Sequence, residues 1–185
     1  VDEEQMSKNA FELFKMPCCF KINYGDLEKR YRELSKEVHP DFHKDKPREV
    51  QTNILDLCSK VNCAYRELRS PKERARLLLK QLAGQEFSPD RKKLPPGFLM
   101  EILEFQEELE ELSSPVEDKF DRLEEMEESL EKRLNVIYEE LNRDFEGLMS
   151  RPGDPVLAEE IQLKLNMISY HERLLTQIER MMDAA

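Results

Sequence analysis

A chain of 185 residues with 37% charged and 39% apolar residues, 5 glycines and no tryptophan has room for one domain or two small ones, and reads as helix-biased and folded rather than disordered. No apolar run approaches the length of a membrane span and no signal pattern opens the chain, so neither an anchor, a secretory leader nor a membrane partner is expected. The net charge of −11 is unevenly placed: residues 1–97 hold 20 Lys and Arg against 16 Asp and Glu, whereas residues 98–185 hold 9 against 24. Halves of net +4 and −15 point to two modules with different partners, and the phosphates of a nucleic acid would repel the acidic one.

In chain order, residues 1–7 are expected to fray. From Asn9, the apolar residues Phe11, Leu13 and Phe14 predict a short helix, broken at Met16-Pro17. Asn23 is placed to cap a second helix, in which Leu27, Tyr31, Leu34 and Val38 share one face and Lys29, Arg32 and Lys36 another. Pro40 lacks an N–H and biases His39 away from the helical region, so this helix should end at about Val38 or His39. A polar loop through Pro47 follows. The next helix is predicted over residues 48–69, with Ile54, Leu57, Val61, Ala64, Tyr65 and Leu68 at helical spacing. Ser70-Pro71 then starts a shorter helix through Leu77, Leu78, Leu79 and Leu82, which Gly84 closes.

The tripeptide His39-Pro40-Asp41 therefore sits at the tip between two helices. His39 offers a ring that donates, accepts or charges near neutral pH, Pro40 stiffens the backbone, and Asp41 presents a carboxylate suited to a partner's arginine. A lone His-Pro-Asp is most often a solvated turn, so its flanks carry the weight. His39, Asp41 and His43 also form a His-x-Asp-x-His cluster with the donor types of a metal site, though without further clustered ligands nearby. The cysteines Cys18, Cys19, Cys58 and Cys63 lack the paired spacing of a zinc knuckle, and are expected as reduced, partly buried thiols.

Residues 27–41, with Tyr31-Arg32 and Leu34 ahead of His39-Pro40-Asp41, followed by Val61-Asn62, Ala64-Tyr65, Leu68 and Ser70-Pro71, resemble a J-domain. This is the module with which DnaJ-type co-chaperones engage heat-shock protein 70 chaperones. The resemblance implies a helical hairpin with the tripeptide at its tip and stimulation of the partner's ATP hydrolysis. It makes His39, Pro40 and Asp41 the signature for that stimulation, Lys29, Arg32 and Lys36 a basic face for an acidic chaperone surface, and Tyr31 a position near the contact or the core. Many J-domains place Lys after the Asp, where this chain has Phe42.

Residues 84–97, with Ser88-Pro89 and Leu94-Pro95-Pro96-Gly97, read as a semi-rigid linker between a module at 9–83 and another at 98–185. Beyond it, Phe98, Ile102, Phe105, Leu109 and Leu112 fall on one helical face, while Leu99, Met100 and Leu103 fall opposite with Glu104, Glu107 and Glu111. A helix buried on two sides and an outward docking patch, apolar at its centre and charged at its rim, explain this pattern equally well. A long helix should carry Val116, Phe120, Leu123, Leu130, Leu134, Ile137, Leu141, Phe145 and Leu148 on its core stripe. After the turn Pro152-Gly153-Asp154-Pro155, a last helix runs to about Met182, with Leu157, Ile161, Leu165, Ile168 and Leu175 on one face and Leu163, Met167, Tyr170 and Leu174 on another. Met167 would either extend the patch or fill the core.

A J-domain followed by an acidic antiparallel three-helix bundle, with Phe98-Leu99-Met100-Glu101, Leu103-Glu104 and Glu107-Glu108-Leu109, is similar to the HscB/Jac-type co-chaperones of iron–sulfur cluster biogenesis. The resemblance covers residues 9–182 and implies two partners: a DnaK/HscA-type heat-shock protein 70 chaperone and the IscU/Isu-type cluster scaffold protein. It carries scaffold binding onto Leu99, Met100, Leu103, Glu104, Glu107 and Glu111, with Met167 standing where that family often has an aromatic. It implies an all-α, non-enzymatic adaptor with no cofactor, in the mitochondrial matrix of a eukaryote or the cytoplasm of a bacterium. Some eukaryotic members carry a cysteine-rich zinc module ahead of the J-domain; no such segment is present here, so no metal is expected. A J-protein with a different client on its acidic bundle is the alternative, and a purely structural coiled coil would leave the tripeptide idle.

Overall fold

The computed structural model describes residues 9–84, 87–90, 92–113 and 118–184. These form seven α-helices and one 3-10 turn with no strand among them, so the chain is all-α as expected: α1 (Ala10–Leu13), α2 (Tyr24–Glu37), the 3-10 turn (Pro40–His43), α3 (Arg48–Arg69), α4 (Pro71–Leu82), α5 (Phe98–Glu111), α6 (Lys119–Ser150) and α7 (Pro155–Asp183). Two compact units divide between Leu78 and Leu79, within α4. The expectations for residues 1–7 and for Val116 lie outside the described residues.

Local chemistry sets the helix limits of the first unit. Asn9 accepts from Glu12 N–H while Glu12 returns a bond to Asn9 N–H, a capping box that makes even a four-residue α1 possible. Asn23 caps α2 by accepting from the N–H groups of Gly25 and Asp26. The buried set Phe11, Phe14, Leu27, Val38, Ile54, Leu57, Val61 and Leu68 is the core on which α1 and α2 meet α3. The α2–α3 hairpin is pinned by Tyr31: its hydroxyl donates to Asn62 Oδ1 (2.9 Å), and its ring stacks on Tyr65 with centroids 4.0 Å apart. Arg74 at the start of α4 is 4% exposed, and its guanidinium donates to Phe20 O (2.7 Å), Leu68 O and the Tyr24 hydroxyl (3.2 Å) while lying over the rings of Phe20 and Tyr24.

The second unit is built on α5, α6 and α7. Glu101 pairs with Arg133 and Glu108 with Arg122, so α5 and α6 run in opposite directions; Lys164 pairs with Asp144 and Glu140 while Leu157 lies against Gly147, so α6 and α7 do the same. This antiparallel three-helix bundle closes around Phe98, Ile102, Leu109, Leu112, Leu123, Met126, Leu130, Leu174 and Ile178. The turn between α6 and α7 contains Gly153 at φ +81°, where the N–H donates to Leu82 O (2.8 Å). Residues 90–93 are gripped by the bundle: the buried Asn166 amide donates to Asp90 O (2.9 Å) and Lys93 O (2.8 Å), and the Lys93 ammonium pairs with Glu159.

One stripe residue is corrected. Phe120 is 51% exposed, and Met126, which the sequence reading passed over, is buried in its place. At 100° per residue Phe120 lies about 60° from Leu123 around the axis of α6, whereas Met126 falls on the other side of the same arc, nearer its centre. Cys18 and Cys63 are exposed rather than partly buried, and only Cys19 and Cys58 are half-buried.

Candidate functional site

The first candidate surface lies at the tip of the α2–α3 hairpin. Val38 ends α2 and is buried, which anchors the chain before it turns. His39 adopts φ −70°, ψ 125°, the extended backbone that a following proline favours. Pro40, with φ already suited and no N–H to leave unpaired, opens the 3-10 turn, so the tripeptide is the cap and first turn of a short helix rather than an irregular loop. The His39 ring accepts at Nδ1 from Asp41 N–H (3.2 Å), which leaves Nε2 to carry the proton of the neutral ring. Asp41 receives a bond from the Lys44 ammonium, 2.8 Å from Oδ1, and that contact holds its carboxyl below the usual carboxylate range. The tip thus presents an ionised Asp41 next to a histidine donor, with the exposed ring of Phe42 edge-on to His39 at 5.8 Å.

Lys29, Arg32 and Lys36 are all exposed along α2, with Arg32 loosely paired to Glu28 at 3.8 Å. Tyr31 is half-buried and committed to Asn62 and Tyr65, which makes it a brace of the hairpin. The metal alternative at the tip finds no geometry, because His43 donates from Nε2 to Glu37 O (2.8 Å). Among the described residues, no three His, Cys, Asp or Glu side chains converge.

The second candidate surface is the outer face of α5. Gly97 precedes the helix at φ +85°, a left-handed cap that lets residues 95–97 turn sharply into it. Phe98, Ile102 and Leu109 point into the core, with the Phe98 ring 5.4 Å from the ring of His171 and 6.1 Å from that of Tyr170. On the other side Leu99, Met100 and Leu103 are 54%, 61% and 45% exposed, so α5 is not buried on two sides and no helix among the described residues covers them. Glu104, Glu107 and Glu111 are exposed around them, Glu111 being 3.9 Å from Arg122. Met167 is half-buried and packs on the Phe98–Ile178 core.

Sequence reasoning missed Lys44, whose spacing of three residues from Asp41 was a readable signal, and Arg133 and Arg122, whose pairing with Glu101 and Glu108 only the bundle brings about. Although Cys18 is exposed as a residue, loss of solvent around its sulfur, followed by Cys19 and Glu12, pushes its thiol up; burial does the same to Cys19 against the opposing charge of Arg74. Both sulfurs are therefore protonated at neutral pH.

The family model of the HSCB C-terminal oligomerisation domain matches residues 94–179. Among solved structures, the chaperone HscB from Vibrio cholerae is 25% identical at a TM-score of 0.79, over 96% of this chain and 99% of that one. The human co-chaperone protein HscB is 24% identical, also at 0.79, over 94% of this chain and 82% of that one. The described residues thus form a helical hairpin tipped by His39-Pro40-Asp41 and an acidic three-helix bundle. With the bundle's family model and the end-to-end structural match, the chain is similar to the HscB co-chaperones. No helix among the described residues is long and apolar enough to cross a membrane.

Proposed function

We propose that this protein stimulates ATP hydrolysis by a DnaK/HscA-type heat-shock protein 70 chaperone and delivers to it the IscU/Isu-type scaffold on which iron–sulfur clusters are assembled. In this reading residues 9–83 engage the chaperone: Asp41 meets a cation on the partner, His39 donates beside it, and Lys29, Arg32 and Lys36 steer the approach to an acidic surface. Residues 98–185 hold the scaffold through Leu99, Met100 and Leu103, an apolar centre ringed by Glu104, Glu107 and Glu111, with the half-buried Met167 as a further contact. Carrying both contacts on one chain raises the local concentration of client at the chaperone. The compartment is that of cluster assembly, the mitochondrial matrix or the bacterial cytoplasm.

The observation that carries the reading is the exposed Leu99-Met100-Leu103 triad, on a helix whose opposite face is core, in a chain similar to the HscB co-chaperones. The test is steady-state ATP hydrolysis by a cognate DnaK-type chaperone with this protein, with and without the scaffold. Stimulation that rises further with scaffold is expected. Stimulation indifferent to scaffold would replace the client, and no stimulation would return the tripeptide to a turn.

A further inference from the structure

The loop that carries His39, Pro40 and Asp41 has no core of its own, since no residue from 39 to 49 is buried. A segment without apolar packing samples many conformations unless hydrogen bonds restrain it. Backbone bonds from Phe42 N–H to His39 O and from Lys46 N–H to His43 O, both 3.1 Å, give it one turn each. Side chains supply the rest. His43 ties the loop back to the end of α2, while Gln51 holds it from the first turn of α3: one amide donates both protons, to Lys44 O and Lys46 O, each at 2.9 Å. Lys44 is also the residue whose ammonium pairs with Asp41. Gln51 therefore fixes the backbone of the residue whose side chain orients the carboxylate.

We propose that Gln51 is a positioning residue, which by gripping the Lys44 and Lys46 carbonyls keeps the His39-Pro40-Asp41 tip in the conformation that the chaperone binds. This rests on reading the tip as the chaperone contact. Glutamine suits the task because its amide has two donor protons on one atom. Glutamate has the same shape but only acceptors to set against two carbonyls, whereas lysine brings three donors on a flexible stem that reaches both.

The experiment compares the full-length chain with Gln51→Glu and Gln51→Lys. If losing the clamp lowers the competent fraction of the loop to about a tenth, the concentration for half-maximal ATPase stimulation rises about tenfold, since apparent affinity scales with that fraction. The maximal stimulated rate stays as in wild type, because saturating partner draws the loop back. Gln51→Lys keeps donors and should stay within about twofold of wild type. In the chain alone, amide exchange at Phe42 and Lys46 should quicken in Gln51→Glu and not in Gln51→Lys, with an unchanged urea midpoint excluding global unfolding. Wild-type exchange and wild-type half-maximal concentration in Gln51→Glu would overturn the proposal, as would a fall in maximal rate at unchanged half-maximal concentration. If the wild-type chain stimulates no DnaK-type chaperone, the functional reading fails instead, and the exchange rates alone decide the clamp.

Discussion

Arg74 and Asp41 are both charged side chains held by hydrogen bonds, and their surroundings give the charges opposite uses. Arg74 is buried, its guanidinium satisfied by two carbonyls, a tyrosine hydroxyl and two aromatic faces. Arg74→Met would keep much of the volume and leave those carbonyls without a donor, a loss of about 2–4 kcal/mol in the urea-derived stability of the first unit. Arg74→Lys should fall between, because an ammonium cannot reproduce the planar fork. A Met variant within about 0.5 kcal/mol of wild type would show that the hub contributes little net stability. Asp41 is exposed and adds nothing comparable to the fold, so its charge is available to a partner. Asp41→Asn keeps size and loses the ion, and truncating such a contact costs about 2–5 kcal/mol of binding. Chaperone stimulation should collapse towards the basal rate while scaffold affinity is retained; stimulated turnover near wild type would remove Asp41 from the mechanism.

At the scale of the element, α5 does two jobs with 14 residues, core on one side and an apolar triad on the other. Replacing Leu99, Met100 and Leu103 together with Ala removes outward side chains and leaves a strong helix former, so the urea midpoint should hold. Scaffold affinity should fall on the order of a hundredfold or more, about 3 kcal/mol for three anchors, measured by titration calorimetry. Unchanged affinity would move the client site elsewhere, and a reduced midpoint would show that the triad is covered in solution. Much of this element was legible beforehand: Pro95-Pro96-Gly97 marks its start, and the Phe98-Ile102-Leu109 spacing marks its core face. Whether Leu99, Met100 and Leu103 were covered was not legible, because periodicity gives angles about a helix's own axis and says nothing of where a neighbour stops.

For the whole molecule, the excess of carboxylates on α5, α6 and α7 sits outside an apolar core whose buried titratable group is His171. Burial lowers the pKa of that ring; the bond from its Nδ1 to Met167 O opposes this, Arg133 adds to it and Glu101 opposes it. An unfolded chain takes up a proton near the ordinary value of about 6.5 that the folded one resists. The stability this group contributes is therefore present in full above that value, and is lost as pH falls from there towards the folded value. Urea midpoints should drop between pH 7.5 and 5.5, and His171→Leu should flatten that slope; an identical slope in the variant would place the titration elsewhere. Phe98 lies against His171 one residue before the triad, so the same loss should reach the start of α5.

By itself the sequence determined the helices, their limits and most of the core, because caps, prolines and glycines act within a turn of chain and apolar periodicity selects one face locally. Asn23, Pro40, Pro71 and Asp154 mark starts and stops that need no knowledge of the rest of the molecule. The tertiary structure alone decided what depends on who the neighbour is. It buried Arg74, which reads as one more surface charge on α4. It exposed Phe120, committed Tyr31 to bracing the hairpin, closed Asn166 on residues 90–93, and brought Gln51 onto Lys44 and Lys46. Apart from the exposure of Phe120, each of these is a contact that the meeting of two or three elements fixes and that no period read along one of them reveals.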